Sequence, residues 1–219
     1  MHASSTIDGV RTMLRQRVAQ AGAELQLLVL AAEPAGCIGV DLASGAFVRA
    51  RYPVGSRLLR PFEIAGGRLA HDEQPDVAHP ELVDLSGAPR PQGRLAPRRA
   101  ERWLRPLLHP PRIPLLGFPG NSVPYWTLEG DRPSVALIEP EKVALAYTDS
   151  GHICCFLWKE CHHELPLLDW ALLGRLGTDS GARALRRALG HAPERLVVAL
   201  TPPMQGYCYK AVVGVLPRR

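Results

Sequence analysis

Short apolar runs separated by turn residues are the feature of this sequence that most limits its fold. In the N-terminal half these runs cover 25–32, 37–42, 46–52 and 62–69, and in the C-terminal half they cover 134–139, 142–148, 152–158, 161–165, 195–200 and 208–216. Short runs at close spacing, bounded by Gly, Pro, Asp or Asn, are typical of strands in small sandwiches and barrels. The sequence therefore predicts an all-β protein with a few helices.

Three segments carry the apolar repeat of about 3.6 residues that is typical of a helix. They cover 5–21, 98–108 and about 180–189. Gly22 and Gly190 follow the first and third as helix-ending residues, and Pro106 is expected to end or kink the second. The stretch 70–97 is rich in proline and glycine, so it is expected to be loop with one short strand at 82–85.

Composition limits the setting in which this chain works. The chain has 219 residues, of which 46% are apolar, enough for one large domain or two small ones with a buried core. Its longest apolar run, 25–32, is far shorter than the roughly 20 residues that span a bilayer. The N-terminus has no apolar segment like that of a signal peptide, and the number of cysteines is odd. We therefore expect a cytoplasmic protein with reduced thiols and no membrane partner.

The segment "HICCFLWKECHHELP", 152–166, holds three cysteines and three histidines and raises the question of a metal site. Neighbouring residues of a strand point to opposite faces, so the adjacent cysteines do not reach one metal ion easily. A three-ligand set of Cys154, Cys161 and His163 is sterically possible, but the favoured interpretation is a β-hairpin without metal. Cys154 and Phe156 are then expected on one face and Cys155 and Leu157 on the other, with Lys159 and Glu160 at an exposed turn.

Motifs for catalysis or cofactor binding are absent from the sequence. It contains no G-x-S-x-G elbow, no H-E-x-x-H, no Walker loop and no G-x-G-x-x-G. The glycine- and proline-rich stretch 117–124 is of a kind that holds an anion on backbone amides, but a linker is the favoured interpretation. We therefore predict no catalytic residue and no cofactor, and an enzyme is the third hypothesis for this chain.

Basic residues favour a polyanionic partner. The net charge is +5, and Lys142, Lys159 and Lys210 are the only lysines, although a GC-rich genome alone also produces such an arginine bias. Within 90–112 there are seven arginines and a single acid, Glu101. The predicted nucleic-acid-binding residues are Arg49, Arg51, Arg57, Arg60, Arg98, Arg102, Arg105, Tyr207, Tyr209 and Lys210, with Trp126 and Trp158 as further aromatic candidates. The competing interpretation places the aromatic rings in the core and the arginines on an ordinary solvated surface.

Several segments resemble, in order, those of the dual OB-containing domain family. "ERLVVALTPPMQGYCYKAVVGVL" is similar to its closing motif, "PAGCIGVDLASGAFVRA" to its first hairpin and "RPFEIAGGRL" to its next core strand. "SVALIEPEKV" and "CFLWKECHHELPLLD" resemble the opening strands of its second barrel, and the match covers roughly 25–216. One departure is "AAEPAGC", where Glu33 stands in a loop that is expected to be more basic.

The resemblance implies two small OB-like β-barrels in tandem, preceded by an N-terminal helix. The expected division is 1–22 for the helix, 23–115 for a first barrel with an Arg/Pro-rich insert and 116–219 for a second barrel. It also implies an accessory role in prokaryotic conflict and defence systems. The favoured function is non-catalytic recognition of single-stranded or structured nucleic acid, as a sensor or adaptor. The alternative is a protein-interaction module that docks a partner effector through the N-terminal helix.

Overall fold

A computed structural model describes residues 22–70, 76–110, 112–128 and 132–217. The strands are β1 (Glu24–Glu33), β2 (Gly36–Asp41), β3 (Phe47–Arg51), β4 (Glu63–Arg68), β5 (Leu82–Asp84), β6 (Arg90–Arg94), β7 (Ser122–Pro124), β8 (Val135–Ile138), β9 (Lys142–Thr148), β10 (Gly151–Trp158), β11 (Cys161–Pro166), β12 (Pro193–Leu200) and β13 (Tyr207–Pro217). The helices are α1 (Pro97–Leu104), α2 (Trp170–Leu176) and α3 (Gly181–Leu189). The prediction of a mostly β protein with a few helices is confirmed. The predicted N-terminal helix, with the effector docking assigned to it, falls on residues 1–21, outside the described chain.

The strands form three curled sheets. The first has the order β5-β3-β2-β1-β4-β6, with β3 and β5 parallel and the other pairs antiparallel. A bridge between Leu69 and Leu85 joins the end of β4 to the end of β5, so this sheet bends back on itself. The other two sheets have the orders β7-β13-β12-β8 and β11-β10-β9, and a parallel bridge between Leu167 and Val212 joins them.

Three hydrophobic cores lie on the faces of these sheets. The first fills the inner face of the six-stranded sheet and contains Leu27, Val29, Cys37, Val48 and Ala65, among others. The second lies between the six-stranded and four-stranded sheets, where Leu28, Leu30, Val197, Ala199 and Ala211 meet and where α1 also packs. The third joins the four-stranded sheet to the three-stranded sheet, α2 and α3. Alternate residues of β12 enter the second and third cores, so this strand is buried on both faces.

The hairpin predicted over 152–166 is confirmed as β10 and β11. Cys154 and Phe156 are buried, whereas Cys155 and Leu157 are only partly buried, as period-two alternation requires. Lys159 and Glu160 form the exposed two-residue turn, with φ of 53° and 64°. Positive φ at both central positions is the geometry of a type I′ turn, whose twist matches that of antiparallel strands.

Several elements differ from the sequence-based expectations. Strands β6 and β7 occupy stretches expected to be loop, and α2 was not predicted. In β6 the segment "RPQGR" is exposed at every position and lacks the apolar alternation that marks a half-buried strand. Helix α1 ends at Leu104, and a 3-10 turn over Arg105–Leu107 contains Pro106, which agrees with the predicted kink. None of the described helices combines the length and apolar character needed to cross a bilayer.

Candidate nucleic-acid interface

The outer side of α1, together with the first residue of the 3-10 turn that follows it, presents an arginine face, defined here as Arg98, Arg102 and Arg105. Ala100 and Leu104 bury the opposite side of the helix in the second core. Because residues four and seven apart lie on one side of a helix, the three arginines share a side and all are exposed. The Arg102 guanidinium lies 3.7 Å from the centroid of the Trp103 ring, which holds it in place.

The acid within this arginine-rich segment, Glu101, is engaged by a buried arginine of β12. Glu101 accepts two hydrogen bonds from Arg195, at 2.8 and 2.9 Å, and Glu139 accepts two more at 2.7 and 2.9 Å. Burial opposes the charge on Arg195, but hydrogen bonds to Glu101 and Glu139 outweigh it and raise its pKa. Within the described chain, no carboxylate pairs with any member of the arginine face. Within the part of the chain that the structure describes, the positive charge of this face is therefore not neutralised by an ion pair.

Strand β6 adds two more exposed arginines just before α1. Arg90 and Arg94 lie at the edge of the six-stranded sheet, where β6 pairs with β4. Neither pairs with a carboxylate of the described residues. They belong to the 90–112 arginine cluster that was a candidate from the sequence, although they were not among the residues singled out there as contacts.

Three of the other four predicted arginines are engaged in ion pairs. Arg49 is buried, donates two hydrogen bonds to Glu33 at 2.6 and 2.9 Å, and donates a third to the Leu200 carbonyl at 2.8 Å. Arg51 pairs with Asp84 at 2.5 Å, and Arg57 pairs with Glu63. Arg60 is exposed beside this pair and donates through its backbone N–H to the Glu63 carboxylate. Carboxylates therefore occupy the Arg49, Arg51 and Arg57 side chains, whereas Arg60 is exposed and has no ion pair among the described residues.

The Arg49 pair lies in a polar seam between the two halves of the chain. His79 contacts the Asp76 carboxylate through Nδ1 at 2.9 Å and the carbonyls of Leu200 and Thr201 through Nε2 at 3.2 Å. Burial opposes ionisation of Asp76, but hydrogen bonds from His79 and Ala78 outweigh it and lower the pKa of Asp76. Glu33 thus has a structural partner in Arg49, which accounts for an acid at the position where the resemblance implies a basic loop.

Lys210 lies inside the fold. Only 2% of its surface is exposed, its ammonium donates to the Phe118 carbonyl at 2.8 Å, and it lies 4.1 Å from the centroid of the Phe118 ring. Burial lowers the pKa of Lys210 to about 8. Burial also lowers the pKa values of His109 and His163, and the positive charge of Lys210 adds to both shifts. Lys210 therefore does not share a surface with the exposed side chains of Tyr207 and Tyr209, its near neighbours on β13.

Tyr207 and Tyr209 lie on the opposite side of β13 from Cys208 and Lys210, and both are exposed. Tyr207 forms an edge contact with Trp126, with ring centroids 5.8 Å apart. Tyr125 and Met204, which were not predicted as site residues, are also exposed. Backbone hydrogen bonds join Tyr125 to Gly206 and Met204 to Tyr207. The other aromatic candidate, Trp158, is buried and packs edge-on against His109 at 5.5 Å.

In residues 22–70, 76–110, 112–128 and 132–217 there is no group of three or more His, Cys, Asp or Glu side chains arranged to hold a metal ion. Cys154 is buried in the third core, whereas Cys161 is exposed. A hollow beside Arg195, lined in part by Phe62 and Leu216, has no interior space large enough for a water molecule. The ion pair between Arg195 and Glu101 therefore links β12 to α1 without enclosing a cavity.

Arg195 was not among the residues predicted from the sequence, although the sequence does contain one sign of its buried ion pair. Arg195 opens the segment "RLVVAL", in which every other residue is apolar and buried. A charged residue in a strand buried on both faces requires a buried partner, because an unpaired charge there is very costly.

Comparison with protein-family models, with curated proteins and with solved structures found no match for this chain. The resemblance to the dual OB-containing domain family therefore stays a prediction.

Proposed function

We propose that this protein is a non-catalytic nucleic-acid recognition module that binds the phosphate backbone through the arginine face of α1. The observation that carries the proposal is the charge arrangement around that helix. Arg98, Arg102 and Arg105 are exposed without a carboxylate partner among the described residues, while Glu101 accepts hydrogen bonds from buried Arg195. Arginine suits this role because its planar guanidinium donates two parallel hydrogen bonds to phosphate oxygens.

The proposed mechanism is electrostatic and depends on salt. Each guanidinium that neutralises a phosphate releases condensed counterions, so the affinity falls as the salt concentration rises. The helix supplies a firm support for these contacts, because Ala100 and Leu104 fix it to the second core. Arg90 and Arg94 on β6 extend the positive surface toward the preceding strand.

Replacing Arg98 and Arg105 together by Ala is expected to weaken binding of a labelled oligonucleotide about tenfold. The slope of log affinity against log salt concentration should become shallower by about 1 to 2, because two phosphate contacts are lost. Arg102 is left in place because its stacking on Trp103 also supports the helix. The measurement is fluorescence anisotropy between about 50 and 200 mM salt, with single-stranded and duplex probes.

The matched control is the Arg183→Ala and Arg186→Ala double variant on α3. Both residues are exposed helix arginines that pair with no carboxylate of the described residues. This variant lowers the net charge by the same amount, so it should bind nearly as well as the wild type if the arginine face is the site. Equal losses in both variants would mean that net charge alone drives binding, and no binding of wild-type protein at about 50 mM salt would reject the proposal.

Two OB-like barrels, at 23–115 and 116–219, are the architecture that we propose for this module. The bridge between Leu69 and Leu85 supports the first, because it links both ends of the run β5-β3-β2-β1-β4. The second is supported by the bridge between Leu167 and Val212 and by the continuation of β8 into β9, where Glu141 N–H donates to the Leu157 carbonyl. In chain order α2 and α3 lie between β11 and β12 of this second barrel. A sensor or adaptor role in prokaryotic defence belongs to the same proposal.

A further inference from the structure

A strap, defined here as residues 112–118, carries Leu115, Leu116 and Phe118 into the third core. Its 3-10 turn over Leu115–Gly117 contains Leu116 with φ of 55° and ψ of 21°, in the left-handed region that residues other than glycine rarely adopt. Leu116 is also completely buried, so water does not reach its backbone N–H. This conformation therefore needs a fixed hydrogen-bond partner from the protein.

The His109 imidazole supplies that partner. Its Nε2 accepts a hydrogen bond from the Leu116 N–H at 3.0 Å, and its Nδ1 lies 3.2 Å from the Pro110 carbonyl oxygen. An amide N–H donates and a carbonyl oxygen accepts, so these contacts select the neutral tautomer that carries its proton on Nδ1. The His109 backbone N–H donates to the Leu137 carbonyl at 2.8 Å, which fixes the histidine to β8. A proton added at Nε2 would therefore take the lone pair that holds Leu116.

The groups around the His109 imidazole oppose that proton. The Trp158 ring packs edge-on against it, with ring centroids 5.5 Å apart, and His163 lies near the same indole, at 6.2 Å. The charges that act on His109 are Lys159, at the turn between β10 and β11, and Lys210 on β13. Burial, reinforced by these two cations, outweighs two nearby proline carbonyls and lowers the pKa of His109. The closed strap therefore keeps the imidazole neutral.

The end of the strap at Phe118 is held by Lys210. The buried ammonium donates to the Phe118 carbonyl at 2.8 Å and lies 4.1 Å from the centroid of its ring. The strap thus has two polar attachments, of which one requires a neutral imidazole and the other covers a cation. Acid removes the first attachment and leaves the second to hold a segment with an unsatisfied Leu116 N–H.

We propose that His109 is an acid-sensitive latch: protonation of Nε2 breaks the hydrogen bond from Leu116, opens the strap and uncovers Lys210. This inference invokes no ligand and is independent of the proposed function. Opening exposes the imidazole to water, where it takes up a proton below about pH 6.5. Because the open strap binds a proton that the closed strap excludes, the ratio of open to closed strap should rise about tenfold from pH 7.5 to pH 5.5.

Hydrogen exchange of the full chain, followed by mass spectrometry, tests the latch. Protection factors of the strap amides, corrected for intrinsic exchange rates, are compared at pH 7.5 and 5.5, and amides of β12 report unfolding of the whole fold. Strap protection should fall about tenfold at the lower pH and should lie below that of β12 at both. Unchanged strap protection, or strap and β12 amides that exchange together at both pH values, would overturn the proposal.

His109→Gln separates the acceptor from its titration. The glutamine carbonyl oxygen still accepts a hydrogen bond but takes up no proton in this range, so strap protection should be equal at both pH values. His109→Phe keeps a ring without an acceptor, so protection should be low at both. The matched control is His163→Gln, which replaces the other histidine beside Trp158 and should retain the tenfold fall.

Two outcomes for these variants contradict the latch. One is a fall in His109→Gln as large as in the wild type, and the other is a flat profile in His163→Gln. If the His109 variants do not fold, the imidazole ¹⁵N resonances of wild-type His109 decide between the tautomers. A proton on Nε2 at neutral pH would overturn the proposal, because that tautomer has no lone pair for the Leu116 N–H.

Discussion

Arg195→Met is expected to destabilise the protein by about 3 kcal/mol, because it removes the guanidinium that pairs with the Glu101 carboxylate in a largely buried site. Arg195 is 3% exposed and makes hydrogen bonds to both Glu101 and Glu139. Methionine replaces the aliphatic part of the side chain, so the loss reports mainly on the charge. The melting temperature should fall by ~6–12 °C, measured by urea and thermal unfolding at neutral pH.

The double variant Arg195→Met with Glu101→Leu should recover most of this stability. Exchanging a buried ion pair for apolar side chains is often neutral, whereas removal of one partner is costly. Glu139 needs no replacement, because its side chain is 48% exposed and water can solvate it. If the double variant is no more stable than the single one, the loss comes from packing, and the proposed role of Arg195 in holding Glu101 is wrong. Loss of the Arg195 charge beside Glu101 should also make the surroundings of α1 more negative and weaken oligonucleotide binding in the single variant.

Lys210→Met is expected to remove a rise in stability that wild-type protein shows between about pH 8 and pH 10.5. Burial lowers the pKa of Lys210 from 10.5 to about 8, a shift of about 2.5 that corresponds to about 3 kcal/mol. Between these pH values the unfolded chain binds a proton that the folded chain has released. Stability therefore increases with pH across this window and is constant below it as far as Lys210 is concerned.

Urea unfolding of wild type and variant at several pH values from 7.5 to 10.5 measures this effect. The difference in unfolding free energy between the two proteins should change by about 3 kcal/mol over that range, in favour of the wild type at high pH. Tyrosine and cysteine titrations occur in both proteins and cancel in the difference. Lys142→Met, at the exposed start of β9, is the control and should leave the pH profile unchanged. Parallel profiles for Lys210→Met and wild type would contradict the prediction.

The His109 and His163 side chains extend the same reasoning to acid pH. Burial lowers the pKa of both, and Lys210 adds to the shift, so the folded chain resists protonation of each imidazole more than the unfolded chain does. Stability should therefore fall as the pH drops below about 6.5, the ordinary pKa of histidine. Lys210→Met should reduce this loss, because it removes the positive charge that both imidazoles experience.

Local patterns predicted much of the fold. The alternation of Cys154 and Phe156 against Cys155 and Leu157, and the turn at Lys159 and Glu160, follow from the period of two in a strand, and the structure has both. The exposure of Arg98 and Arg102 on one side of α1 likewise follows from helical spacing. The sequence did not predict β6 or β7, because an exposed edge strand has no apolar alternation and takes its hydrogen bonds from a neighbour distant in the chain.

The sequence by itself determined the strand-rich class, the burial pattern of the 152–166 hairpin and the arginine-rich character of 90–112. The tertiary structure alone decided which charged residues are available at the surface. Arg49 donates to Leu200, 151 positions away; Lys210 to Phe118, 92 positions away; and Arg195 to Glu101, 94 positions away. Burying a charged group is tolerated only where a partner satisfies it. Since these partners come from distant segments, local sequence cannot distinguish buried Arg49 from exposed Arg98.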